Sequence, residues 1–228
     1  MLKQRSTQKE LLDEEFIPAE DLYQNLRELD TINTLLGGYN ITFSALKKIT
    51  KENKKYSLVD IGSGGGDTLK HINKWAKSNG YDFSLIGIDL KPECIQYAER
   101  NNTNIRFICD DYRNVFNHIN QIDVLHACLF CHHLQESELI ELVQFCMKNN
   151  TTLIVNDLER NPIAYYAIKF LTKFFSKSYL VKNDAPLSVA RGFKKHEWIS
   201  ILKKAGAKNY SVKNKWAFRH EVIVYANQ

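Results

Sequence analysis

Asp60-Ile61-Gly62-Ser63-Gly64-Gly65-Gly66-Asp67 decides how this chain is read. The apolar run Tyr56-Ser57-Leu58-Val59 precedes it, and the helical pattern from Leu69 to Ala76 comes after it. The local order is therefore strand, glycine turn, helix. Glycines let the backbone turn sharply and bring bare peptide against a ligand. The helix behind them points its unpaired N–H groups at the same space. Two phosphate readings fail at this loop. A dinucleotide fingerprint needs Gly-x-Gly-x-x-Gly. Counted from Gly62 its third glycine falls on Asp67, and counted from Gly64 it falls on Leu69. Asp67 would also set a carboxylate where a pyrophosphate approaches the helix. No Gly-Lys-Ser/Thr is present after the loop, which excludes a phosphate-cradling P-loop.

Downstream the chain alternates. Phe83–Ile88 reads as a strand ending at Asp89, Pro92–Arg100 as a helix with proline in its first turn, and Ile105–Cys109 as a strand ending at Asp110-Asp111. Asp123–Cys128 is a fourth strand, Glu136–Lys148 a helix, and Thr152–Asn156 a fifth strand. Such alternation predicts an α/β fold, a doubly wound parallel sheet with helices on both faces. Ligands of these sheets sit beyond the carboxyl ends of the strands. Asp60, Asp89, Asp110 and Asp111 stand at such ends, which places four carboxylates around one crevice.

Asp60-x-Gly62-x-Gly64-x-Gly66 resembles the first motif of class I S-adenosylmethionine-dependent methyltransferases. Their cofactor is a sulfonium cation without phosphate, so acidic residues around the loop make electrostatic sense. The resemblance implies a Rossmann-like seven-stranded sheet, mostly parallel with an antiparallel C-terminal strand. It implies cofactor contacts at Asp60, Gly62, Ser63, Gly64 and Asp67. Asp89, 23 residues after Gly66, would accept the ribose hydroxyls, with Leu90 beside it. Asp111 in Asp-Tyr-Arg, or its neighbour Asp110, would meet the adenine amino group. One of these two is expected only to cap the next helix. Tyr112 and Cys128 complete the expected set.

Length and composition agree with this class. The 228 residues suffice for one α/β domain with a small appendage, and 44% hydrophobic and 25% charged residues are ordinary for a soluble protein. Five scattered cysteines suit a reducing cytoplasm. Met1–Ser6 has no apolar core, so no signal peptide is expected, and no stretch is apolar enough to span a bilayer. A cytoplasmic enzyme is expected. The net charge of +5 names no partner by itself.

Residues 1–50 read as an N-terminal helical cap and 51–228 as the main domain. The first 36 residues carry eight acidic against four basic side chains. Leu22, Leu26, Leu29, Ile32 and Leu35 fall at helical spacing. A further helix is expected over 41–53. Residues 160–193 break the alternation. From Arg160 to Lys195 eight cationic residues face Asp184 alone, and six aromatic residues lie between Tyr165 and Tyr179. Lys169, Lys173 and Lys177 fall on one helical face with Tyr166, Phe170 and Phe174 beside them. The expectation is a lid over the acceptor pocket, apolar face inward and lysines in water. A membrane surface is the rival occupant of that face. Arg160 and Arg191 are candidates to orient an acceptor, with Tyr165, Tyr166 and Phe193 around it. Glu197 to Ala205 then reads as a helix, and Asn209–Val212 and Glu221–Tyr225 as β segments around a Lys-rich turn.

Cys128-Leu129-Phe130-Cys131-His132-His133-Leu134 contains Cys-x-x-Cys-His, the haem-attachment pattern. Without an export signal, and starting at the end of a buried strand, it is expected to hold neither haem nor zinc, and no metal is expected. The segment resembles the methyltransferase segment after the fourth strand, which borders the transferring methyl group. His132 or His133 is a candidate general base, beside the plainer reading of a structural pair.

The resemblance extends over residues 8–226. Glu10–Asp13, Leu26–Asn33 and Gly37-Gly38 look like the cap of a bacterial subgroup of small-molecule methyltransferases associated with polyketide-type or quinone-like natural products. Asp157–Pro162 and Ser188–Phe193 look like its lid-flanking segments. The expected reaction is O-methylation of a small hydroxylated aromatic or polyketide-like acceptor, with formation of S-adenosylhomocysteine. C-methylation of a quinone-type ring is the near alternative. RNA methylation has the basic segment in its favour, but neither Asn/Asp-Pro-Pro-Tyr nor Pro-Cys comes after strand four. A non-catalytic cofactor-binding module is the reading from another class.

Overall fold

The computed structural model describes residues 2–51 and 53–226. Helices α1 (Ala19–Leu35) and α2 (Tyr39–Ile49) precede the sheet. Strands and helices then alternate: β1 (Lys55–Ile61), α3 (Asp67–Ser78), β2 (Asp82–Asp89), α4 (Pro92–Asn101), β3 (Arg106–Cys109), the short α5 (Val115–His118), β4 (Val124–Cys128), α6 (Glu136–Lys148) and β5 (Thr152–Leu158). A helical pair, α7 (Pro162–Phe175) and α8 (Tyr179–Arg191), interrupts the series. After it come α9 (Lys195–Lys204), β6 (Tyr210–Lys215) and β7 (Arg219–Val224).

The strands form one seven-stranded sheet in the order β3-β2-β1-β4-β5-β7-β6. β1 through β5 run parallel, and β7 inserts antiparallel between β5 and β6. This is the Rossmann-like architecture expected. The order reverses beside β1, with β2 on one side and β4 on the other, so the crevice between their carboxyl ends is the switch point where a ligand binds. Central strands are buried on both faces, hence their near-continuous apolar sequence. Leu58 packs on one face with Leu69, Ile72 and Ile95, and Val59 packs on the other with Leu139, Val143 and Trp198.

Some boundaries differ from expectation. Lys213 and Lys215 belong to β6, and the chain reverses at Trp216, Ala217 and Phe218, the last two with positive φ. Lys215 points back to the fully buried Glu221 (3.1 Å), which Lys48 of α2 also contacts. A paired, buried carboxylate of this kind replaces the solvated turn that the lysines suggested. Burial alone would push the Glu221 carboxyl up, but hydrogen bonds from Lys48 and Lys215 hold it below its ordinary value.

The N-terminal segment is tied across the molecule. The Arg5 guanidinium donates to the carbonyls of Arg191 (2.6 Å), His132 (2.5 Å) and Leu134 (2.7 Å) and lies 4.1 Å above the Phe193 ring. Asp184 of α8 accepts from the backbone N–H of Leu11 and Leu12 (2.8 and 2.9 Å). Those bonds hold a single 3₁₀ turn, Leu11–Asp13, over the carboxyl edge of the sheet.

Candidate active site

A cavity of about 780 Å³ opens at the switch point, within the size range of small-molecule sites. Its floor is the glycine loop. Gly62 has φ +63°, and a Cβ there would stand 2.2 Å from the Phe130 ring, so no other residue fits without moving that wall. Gly64 donates its N–H to Asp89 Oδ2 (2.8 Å), while Lys91 N–H donates to Oδ1 (3.0 Å). Asp89 is thereby aimed at the cavity from the end of β2. Burial raises its carboxyl despite those two bonds. Asp67, at the first turn of α3, is raised to about 6 by burial and by Asp30.

Of the expected cofactor residues, Gly62, Ser63, Gly64, Asp67, Asp89, Leu90, Asp110, Asp111, Tyr112 and Cys128 all line this cavity. Asp60 does not. It is 2% exposed and pairs with His126 Nδ1 at 2.7 Å. His126 Nε2 then lies 3.0 Å from Thr42 Oγ1, to which Asn156 donates at 3.2 Å. Asp60 therefore anchors β1 to β4, β5 and α2 behind the glycine loop, outside the cavity lining. Beyond β3 Asp111 caps the 3₁₀ turn Tyr112–Asn114 through Arg113 N–H (2.9 Å) and holds the Arg113 guanidinium. Asp110 is engaged by His118 (2.6 Å) and Asn114 (2.9 Å), and those bonds lower its carboxyl to about 2.

Ten carboxyl side chains line the cavity, from Asp13 and Glu14 on the N-terminal segment to Glu138 on α6, against the cations Lys91 and Arg113. Such a field repels phosphate and attracts a cation. The donor set fits a nucleoside carrying a sulfonium: a carboxylate for ribose, bare peptide at the glycine loop, and a surplus of negative charge.

The wall beyond the cofactor floor comes from the Cys128–Leu134 segment and from the N-terminal cap. Leu129 takes a left-handed φ of +54° and donates to Asn156 O (2.9 Å), the strained turn that throws Phe130 across the loop. His133 faces the cavity. Its Nδ1 lies 3.0 Å from Asp13 Oδ1 and its Nε2 3.8 Å from Glu10 Oε2. His132 turns inward. It is 2% exposed, its Nδ1 lies 2.7 Å from Asp157 Oδ1, and its Nε2 lies 3.6 Å from Glu10 Oε1. It cannot touch an acceptor, which removes it as a candidate base.

Asp157 is raised by burial but held below the usual carboxylate range by the His132 charge and hydrogen bonds. Asp13 is likewise raised by burial and carried well below that range by bonds from His133 and Arg191. For Glu10 burial wins, and its carboxyl is pushed up to about 7 despite His133 and Arg191. Glu10, His132 and His133 bring ligand atoms within 4.8 Å of one another. Arg191 Nε stands 3.8 Å from the same Glu10 oxygen, so a guanidinium already supplies positive charge there. Burial that raises Glu10 favours a proton on its carboxyl within this cluster.

The expected acceptor residues are elsewhere. Arg160 is 2% exposed, bonded to Gly192 O (2.7 Å) and ion-paired with Glu197 (2.7 Å). Arg191 is buried, donating to the carbonyls of His132 and His133 (both 3.2 Å) and to Asp13 (2.9 Å). Phe193 is buried between Arg5 and Trp198. Tyr165 and Tyr166 lie on α7, and no residue of α7 or α8 lines the cavity. The lid expectation is corrected accordingly: Leu12–Glu15, Leu26, Leu29 and Asn33 cover the cavity instead. Glu10–Asp13 belonged to the cap in the sequence, but nothing local showed that Arg5, Glu10 and Asp13 meet the histidines.

Residues 58–151 match a family model described as a methyltransferase domain. A comparison with curated proteins gives no match. Among solved structures, the plantazolicin methyltransferase BpumL, in complex with a triazolic desmethylPZN analog and SAH, is 18% identical with a TM-score of 0.67, covering 92% of this chain and 91% of that one. A putative O-methyltransferase from Nostoc punctiforme is 14% identical with a TM-score of 0.57, over 88% of this chain and 59% of that one. The CMeT domain of the citrinin polyketide synthase is 12% identical with a TM-score of 0.56, over 82% and 50%. Residues 58–151 thus carry a methyltransferase domain, and the chain has the fold that these solved methyltransferases share. Its methyl donor is S-adenosylmethionine.

Proposed function

We propose that the protein transfers a methyl group to a hydroxyl oxygen of a small hydroxylated aromatic or polyketide-like acceptor, with His133 as the general base. The observation that carries this reading is the placement of His133: on the wall of the cavity that the glycine loop also lines, with Asp13 at its Nδ1 and Glu10 at its Nε2. When bound, S-adenosylmethionine supplies an electrophilic methyl on a positively charged sulfur and leaves as the neutral thioether. Asp89 holds the ribose, and Gly62 and Gly64 admit the chain beyond it. His133 would take the proton from the acceptor hydroxyl, leaving an oxygen nucleophile for the donor's methyl group. Asp13, held below the usual carboxylate range, stabilises the imidazolium that results. The N-terminal segment excludes water, and alignment of this kind supplies roughly 7–11 kcal/mol in favourable cases. Proton removal adds about 10²–10⁴-fold.

The relatives support the small-molecule class, since BpumL was solved with desmethylPZN analogs. A second reading, transfer to an amine nitrogen, is favoured by the ten carboxylates of the cavity, which would draw a cationic acceptor as well as the sulfonium. The test is turnover on a panel of phenols, enolised diketides and amines, with product identified by mass spectrometry. The proposal expects methyl ethers, and a rate for His133→Ala about 10²–10⁴-fold lower at unchanged cofactor affinity. Exclusive N-methylation would select the second reading. The acidic cavity also disfavours a polyanionic RNA acceptor.

A further inference from the structure

α7 is amphipathic in the wrong direction for a helix that covers a core. Ile163, Tyr166, Ala167, Phe170, Leu171 and Phe174 recur at the spacing of one helical face, and all are exposed. Ile163 is 67%, Phe170 62% and Phe174 61% in solvent, with Phe175 at 79% just beyond. The opposite face packs inward through Thr172, the helix's single buried residue, whose hydroxyl donates to Ile168 O (2.8 Å). The turn after α7 fixes this orientation. Glu28 of α1 accepts from the backbone N–H groups of Lys177 (2.9 Å) and Ser178 (3.1 Å) and from the Ser176 hydroxyl, which pins that turn to the cap.

The charge beside this face has one sign. Residues 161–183 contain four lysines and no acidic residue. Lys169 and Lys173 run along one edge of the apolar stripe, and Lys177 lies in the turn beyond. At 14 residues the helix is about 21 Å long, too short to cross a bilayer, for which about 20 residues are needed. Among the described residues no helix is long and apolar enough to span one. An apolar face edged by lysines suits a helix lying in the plane of a membrane surface.

We propose that the outward face of α7 docks on an anionic lipid surface, its phenyl rings among the acyl chains and its lysines at the headgroups. A second copy of the chain is the poorer occupant, because pairing this face with itself brings two cationic edges together. The inference goes beyond the methyl-transfer reading and does not depend on it, since α7 contributes nothing to the cavity.

The test is co-sedimentation of the full chain with phosphatidylcholine vesicles, with and without phosphatidylglycerol. Binding is expected only with phosphatidylglycerol, weakening as salt rises. Each lysine near an anionic surface is worth roughly fivefold in partitioning, so Lys169→Gln/Lys173→Gln should reduce binding by about 25-fold. Phe170→Asp/Phe174→Asp should abolish it while S-adenosylmethionine binding by calorimetry stays at the parent value, showing that the variant is folded. No binding to either vesicle, equal binding to both, or retained binding by the phenylalanine variant would each overturn the proposal. So would a parent dimer that this variant converts to monomer.

Discussion

Replacing Glu10 by glutamine removes a buried charge while keeping the side chain's shape. Glu10 is 3% exposed, and burial raises its carboxyl from 4.5 to about 7 against the pull of His133 and Arg191. The folded chain therefore binds this proton more tightly than the unfolded chain does. The stability so gained is fully present below the unfolded value, and it is lost as pH rises through 7. A difference of about 2.5 units corresponds to about 3 kcal/mol at the alkaline limit. Glu10→Gln stays neutral throughout, so parent and variant should be equally stable near about pH 4, below the unfolded value. The variant should be the more stable by up to about 3 kcal/mol near about pH 8.5. In a domain of this size that is a melting-point difference of roughly 6–12 °C. Groups common to both proteins cancel in the comparison. Urea unfolding at the two pH values reads it directly. A stability difference that is the same at both would mean that Glu10 is ionised in the folded state at all working pH values, and the proton-holding account of the cluster would fail.

Other variants test other parts of the site. Asp89→Ala removes the ribose acceptor and should weaken S-adenosylmethionine binding by about 1.5–3 kcal/mol, measured by calorimetry; unchanged affinity would refute the assignment. Gly62→Ala drives a Cβ into Phe130 at a left-handed φ and should lose cofactor binding before it loses its fold, which circular dichroism and calorimetry separate. Asp184→Ala frees the N–H groups of Leu11 and Leu12 and should cost about 2–3 kcal/mol of stability. It should also raise KM for the acceptor, because the segment covering the cavity loses its tether.

Much of the architecture was legible because it rests on local chemistry. The glycine loop, the alternation of strands and helices, and Asp89 at a strand end are each set by a few neighbouring residues. What failed were inferences about where a charged side chain goes after folding. Asp60 has the position of a ligand-facing carboxylate, yet His126 on the adjacent strand claims it. Arg160 and Arg191 sit in a cationic segment, yet Glu197 and Asp13, one 37 residues downstream and the other 178 upstream, hold them inside. The spacing within α7 is that of an amphipathic helix, and the helix is there. Periodicity shows that one side is apolar without saying which way that side points, and here Thr172 decides it. The residues that organise the histidines, Arg5, Glu10, Asp13 and Asp157, come from distant parts of the chain. No spacing rule brings them together.

The central claim is that His133 removes a hydroxyl proton during methyl transfer. Single-turnover transfer of an isotope-labelled methyl from S-adenosylmethionine to a phenolic acceptor tests it, measured across pH for the parent and for His133→Ala. The account predicts a labelled methyl ether from the parent. It predicts a rate about 10²–10⁴-fold lower for the variant, rising with pH as the acceptor ionises unaided. A variant that transfers the label within twofold of the parent at neutral pH would contradict it.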